Sequence, residues 1–192
     1  MKRQILLFSI LAASLSAVHA QVAFRPYVGI NSHTITKDFQ DAEWRSALGY
    51  QVGADLQIGS KLYIQPGLQL EYAKNKFEIL GTGINIDVKR TSLRIPVMVG
   101  YSLGKVDGDF SFRIFTGVNA SILLSSSAED FDLNKDDWKN AVFGWNVGAG
   151  LDFSIIFIDL GYQMGLSEVF ETIDTGSKDN LFYGNAGLRI RF

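Results

Sequence analysis

The stretch LGYQVGADLQIGSKLYIQPGLQLEY, residues 48–72, alternates with period two on both sides of a short break. Leu48, Tyr50, Val52, Ala54, Leu56 and Ile58 share one face, and Leu62, Ile64, Leu68, Leu70 and Tyr72 continue it. The opposite face carries Gly49, Gln51, Gly53 and Asp55, then Gln65, Gly67, Gln69 and Glu71. Successive side chains of a strand point to opposite faces. The stretch therefore reads as a hairpin with one apolar and one polar face, turning at Gly59-Ser60.

The same alternation recurs along the chain. It predicts strands over 22–32, 46–58, 61–74, 86–102, 109–124, 141–153, 156–167 and 181–192. The connections at 59–60, 103–108 and 154–155 are short. Those at 33–45, 75–85, 125–140 and 168–180 are long and polar. Strands of roughly 9–11 residues suffice to cross a tilted path through a bilayer. An even number of strands with short turns at one end and long loops at the other is the pattern of an outer-membrane barrel. The fold class expected is all-β, an eight-stranded antiparallel up-and-down transmembrane β-barrel over 21–192.

Glycine decides which face is inside. Gly29, Gly49, Gly53, Gly67, Gly100, Gly117, Gly144, Gly148, Gly150, Gly161, Gly165 and Gly187 fall on the polar face, and Gly184 falls on the apolar one. An eight-stranded barrel has an interior just wide enough for side chains to fill, so small residues belong there. The apolar face then meets lipid. Its aromatic residues sort into two levels. Tyr50, Tyr72, Phe143, Trp145 and Phe182 lie toward the long-loop end, and Tyr101, Phe110, Phe112, Phe153 and Phe192 toward the short-turn end. Such girdles mark the two membrane interfaces. Pro26, Pro66 and Pro96 interrupt strands. Each removes a ladder donor, so bulges or bridging waters are expected there.

Segment 1–20, MKRQILLFSILAASLSAVHA, reads as a secretory signal peptide. Lys2 and Arg3 precede an apolar run, and Val18 and Ala20 sit at −3 and −1 of a cleavage point. No run of 18 apolar residues suggests a membrane helix. The chain has no cysteine and a net charge of −2, which becomes more negative once Lys2 and Arg3 are cut away. That balance excludes a nucleic-acid partner, which requires a basic footprint.

LYIQPGLQLEY (62–72) followed by SLRIPVMVGY (92–101) resembles the PorT-like outer-membrane β-barrel family. The terminal GLRIRF resembles the signal read by the barrel-assembly machinery, with Phe192 closing the last strand. The resemblance implies an integral outer-membrane protein, with outer-membrane lipid and that machinery as partners. It implies no reaction and no cofactor. One relative of that kind works in protein secretion, which makes a secretion-apparatus component one alternative.

The polar face carries a charge constellation: Asp55, Glu71, Arg94, Arg113, Asp152, Asp159 and Arg189, with Arg25 nearby. Asp152 and Asp159 flank a short turn and are expected to oppose each other across it. Opposed carboxylates repel, and Arg113 and Arg189 lie at similar depth to answer them. Glu71 and Arg94 form a second pair nearer the long loops. The structural reading is a salt-bridged plug; the functional one is a narrow ion or proton path.

Catalysis has little support. His33, beside Ser32, is the one histidine after the leader. An outer-leaflet lipid-modifying enzyme would need it paired with a nucleophile and an acid such as Asp38 or Glu43. Neighbouring strand residues point to opposite faces, so Ser32 and His33 do not pair directly, and His33 reads as a loop histidine. DFDLNKDDW (130–138) echoes a calcium loop, but Lys135 replaces the required glycine and Ala141 the twelfth-position glutamate. No catalytic, cofactor or metal residues are assigned. Phe131, Trp138, Trp44 and Phe170 in the long connections offer contacts to an extracellular or envelope protein partner or to a glycan. The role expected is structural or recognition, through those connections.

Overall fold

In the computed structural model the residues described are 21–35, 42–46, 48–79, 84–104, 110–128, 141–167 and 179–192. The expected signal peptide, Asp38, the calcium-like loop and three of the loop aromatics lie outside them. Strands β1 (Val22–Ile35), β2 (Ala42–Ser46), β3 (Leu48–Gly59), β4 (Leu62–Ile79) and β5 (Ile84–Leu103) are followed by β6 (Phe110–Ala128), β7 (Ala141–Phe153), β8 (Ile156–Gly165), β9 (Asp179–Leu188) and β10 (Ile190–Arg191). β2 and β3 are two pieces of one crossing, as are β9 and β10. Every neighbour is antiparallel, and β1 pairs with β3 on one side and with β9 and β10 on the other. The sheet thus closes into an eight-crossing barrel, which leaves no edge within the wall.

Burial confirms that the protein is inverted. Among the described residues 21 buried side chains are polar or charged and ten are hydrophobic. The outer wall exposes an apolar belt that includes Leu48, Val52, Leu68, Val99, Ile114, Leu160 and Phe182. Water would not tolerate so large an apolar surface, whereas lipid does. Aromatic pairs stand at both ends of the belt. Tyr50 and Tyr72 stack at 4.7 Å, and Phe110 meets Phe153 edge-on at 5.1 Å.

Three expectations need correction. First, the long connections are shorter than the sequence suggested. Residues 33–35, 42–46, 75–79, 84–85, 125–128 and 179–180 are strand. The hairpin of β4 and β5 stays paired out to Ile79 and Ile84, so only 80–83 connect them. Strands β4, β5 and β6, at 18, 20 and 19 residues, exceed what a crossing requires, whereas β8 has 10. Together with β2, which pairs with β4, they raise one side of the long-loop end above the other.

Second, the prolines make no bulge. Register is the same before and after each one. Pro26 is paired to Ala54, Pro66 to Val97 and Pro96 to Asn119, and pairing lapses only on the strand's other side. A strand residue directs its amide to one neighbour, so a missing donor weakens one seam and spares the other. The register shift lies instead at Thr91/Ser92, where the wall begins to rise.

Third, Asp152 and Asp159 are not opposite. The turn at Ser154-Ile155 pairs Asp152 with Phe157 and Gly150 with Asp159, which sets the two carboxylates diagonally. Ser154 takes a left-handed conformation (φ 51°), as a two-residue hairpin turn requires.

Candidate functional site

The lumen is the candidate site, and it is built by parity. Arg25 of β1, Asp55 of β3, Arg113 of β6, Asp152 of β7 and Asp159 of β8 all fall on inward positions, as does Arg189 at the β9–β10 junction. They join into a ladder of alternating sign near the short-turn end. Arg189 Nη1 lies 2.9 Å from Asp152 Oδ2. Arg113 Nε lies 2.9 Å from the same carboxylate, and Arg113 Nη2 lies 2.6 Å from Asp159 Oδ1. Arg25 Nη2 lies 2.8 Å from Asp159 Oδ2, and its Nη1 lies 3.6 Å from Asp55 Oδ1. Gln65 Nε2 donates to Asp55 Oδ2 at 2.9 Å. Three cations and three anions leave no net charge on the ladder. Arg25 and Arg113 are wholly buried.

Gly150 makes the Arg113–Asp159 bridge possible. It stands between them, paired with Arg113 on β6 and with Asp159 on β8. A Cβ there would overlap the Asp159 carboxylate and lie 2.8 Å from Arg113 Nη2. The glycine is a gap in the wall across which the two side chains meet.

Nearer the long-loop end, Arg94 of β5 donates to Glu71 Oε2 of β4 at 2.5 Å and also to Gln163 of β8, bridging the lumen. The Asn119 amide lies between Arg94 and Gln163, 3.1 Å from Arg94 Nε and from Gln163 Oε1. His33 Nε2 lies 3.1 Å from Glu71 Oε1. His33 is therefore no loop histidine. It is buried in β1, an inward position of a strand that runs three residues further than the sequence suggested. Ser32, its neighbour, pairs with Leu48 and Phe182 on the outward register.

Inward aromatic residues were missed by the sequence reading. Tyr27, Tyr63, Phe115, Phe157 and Tyr183 are buried on the polar face. The signal was present, because each stands opposite a glycine: Tyr27 with Gly53, Tyr63 with Gly100, Phe115 with Gly148, Phe157 with Gly187 and Tyr183 with Gly161. A Cβ on Gly148 would lie 2.5 Å from the Phe115 ring. The rings close the space that the glycines leave. Phe157 also serves the ladder, with the Arg25 guanidinium 3.8 Å above its centre, a cation–π contact.

A wall that is apolar outside and a lumen filled by paired charges are the two halves of a membrane barrel. Residues 13–171 match the family described as outer membrane protein beta-barrel domain. The chain belongs to that family. As a member it is an integral barrel of the Gram-negative outer membrane, and its lumen is filled by side chains. Its fold is similar to that of Neisserial surface protein A, at 13% identity and a TM-score of 0.56, over 89% of this chain and 97% of that chain. Ail of Yersinia pestis aligns at 14% identity and a TM-score of 0.44, over 90% of this chain and 100% of that chain. Outer membrane protein W of E. coli aligns at 12% identity and 0.43, over 90% and 100%. At such identities likeness speaks for fold and not for activity. No curated protein matches the sequence.

Proposed function

We propose that this outer-membrane barrel acts in recognition or surface structure through its long-loop end, and that its lumen carries no ion current. The ion ladder carries the reading. Six buried charges from six crossings are joined across the narrow interior, and eight strands leave little room beside them. The raised β2–β4–β5–β6 side supports a role at the outer surface, because its strands run further than a bilayer crossing requires. Within the family, the QP strand and the IP strand favour a PorT-like member. Its partners are outer-membrane lipid around the apolar belt and the barrel-assembly machinery at the Phe192 strand, with an extracellular or envelope protein at the connections. Residues 1–20 serve as the export signal. The chain is read as no enzyme, since His33 points into the lumen and is held by Glu71, away from the lipid face where a lipid substrate would lie.

Replacing 129–140 and 168–178 with turn-length linkers tests the reading. The variant is expected to remain a heat-modifiable barrel in isolated outer membranes and to lose surface cross-links that the wild type makes on intact cells. Unchanged cross-links, or a changed lipid A profile in cells lacking the protein, would overturn it.

A further inference from the structure

Between the ladder and the Glu71–Arg94 pair lies a cavity of about 30 Å³. Asp55, Gln65, Gln69 and Asn146 line it from three strands. Each is at least nine-tenths buried, at 6%, 7%, 7% and 1% exposure. Each also carries one polar atom with no hydrogen-bond partner in the protein: Asp55 Oδ1, Gln65 Oε1, Gln69 Nε2 and Asn146 Nδ2. Two of the amides are oriented by their other ends. Gln65 spends its Nε2 on Asp55, and Gln69 spends its Oε1 on the Tyr27 hydroxyl at 3.0 Å. The lining residues therefore hold two acceptors and two donors that make no hydrogen bond within the protein. A buried polar group without a hydrogen bond costs about 1–3 kcal/mol; three amide atoms and Asp55 Oδ1, whose one contact is the 3.6 Å ion pair with Arg25, call for a ligand that satisfies both kinds.

We infer that this cavity is a built site for about two ordered waters, which tie the ladder to the upper ion pair. Space agrees, since a water needs roughly 10–15 Å³ measured in this way. Charge agrees too. A metal cation would meet the amide donors and the Arg94 guanidinium that also lines the cavity. An anion would meet Asp55 and Asp159, which line it as well. A neutral molecule that donates and accepts is what remains, and water is the one small enough. Asp55 and Arg94 then face a shared water layer in mid-lumen, so the two ion clusters are electrostatically linked without touching.

The test is a crystal structure of the full mature barrel at a resolution that shows water, from crystals soaked in thallium(I). The site expects solvent density at about 2.7–3.2 Å from the four orphan atoms and no anomalous peak. A thallium peak would make it a cation site and overturn the inference. So would a collapsed cavity whose four atoms pair with one another. In solution, water-selective NMR of the wild type in nanodiscs should give cross-peaks from water to the Asn146 and Gln69 side-chain amides, and Asn146→Leu should abolish the cross-peak at Gln69. The absence of such cross-peaks in the wild type contradicts the inference whether or not the variant folds.

Discussion

The two ends of the lumen solve the same problem differently. Near the short turns, Arg25 and Arg113 each bridge two carboxylates and Arg189 adds one more contact, so every charge in the ladder faces its opposite. Near the long connections one carboxylate, Glu71, serves Arg94 and His33, and amides from Gln163 and Asn119 fill in. The first arrangement is a closed electrostatic unit that no member can leave cheaply. The second contains groups that tolerate rearrangement, as suits an end that leads to the outer surface. A buried charge stripped of its partner is costly, whereas an amide exchanged for another is not.

The largest expected effect breaks the first unit. Arg113→Met leaves Asp152 and Asp159 short of a cation in a buried interior, and removing one partner of a buried ion pair costs about 3–5 kcal/mol. Urea unfolding in lipid vesicles, followed on gels by the heat-modifiable band, measures it. Glu71→Gln keeps the shape of the second unit and removes its charge. Arg94 keeps acceptors in the new amide and in Gln163, so the loss expected is about 1.5–3 kcal/mol, the worth of charge-assisted hydrogen bonds, in the same assay. If Glu71→Gln proved the more damaging, the contrast between the two ends would be reversed.

Gly148→Ala examines the spacing between them. Its Cβ would press on the Phe115 ring and lie 2.6 Å from the Leu160 carbonyl, a rigid neighbour. Overpacking of this kind costs about 1–3 kcal/mol, and a second substitution, Phe115→Leu, should recover part of it. The outer wall supplies the smallest effect. A double-mutant cycle on Tyr50 and Tyr72, each to Leu, should give about 0.5–1.5 kcal/mol of coupling for the stacked pair and leave both lumen clusters untouched.

How much of this was legible in the sequence follows from the same geometry. Period two placed Asp55, Glu71, Arg94, Arg113, Asp152, Asp159 and Arg189 on one face, and the glycines on that face told inside from outside. The diagonal placing of Asp152 and Asp159 was already contained in the two-residue connection at 154–155, which sets Asp152 opposite Phe157 and Asp159 opposite Gly150, and the expectation of facing carboxylates did not follow that register through. The extended β4–β5 hairpin had a signal that polarity hid. Phe77 and Ile79 alternate ahead of Gly81-Thr82-Gly83, and Ile84, Ile86 and Val88 alternate after it. Asn75, Lys76, Glu78 and Asn85 made 75–85 read as a loop, whereas the strand was expected to begin at Ile86. His33 was misread for the same reason, since strand β1 continues through a polar stretch held by its partners on β9. Which charge meets which was beyond the sequence, because Arg25 and Asp159 are 134 residues apart and meet only when the barrel closes.

The most direct test of the central claim is electrical. Purified mature protein, reconstituted in a planar bilayer and checked for heat-modifiable mobility, should add no discrete current steps to the bare-membrane leak at any polarity. Reproducible ion-selective steps from the wild type would mean that the Arg25–Asp159–Arg113–Asp152–Arg189 ladder does not close the lumen, and the protein would have to be read as a pore.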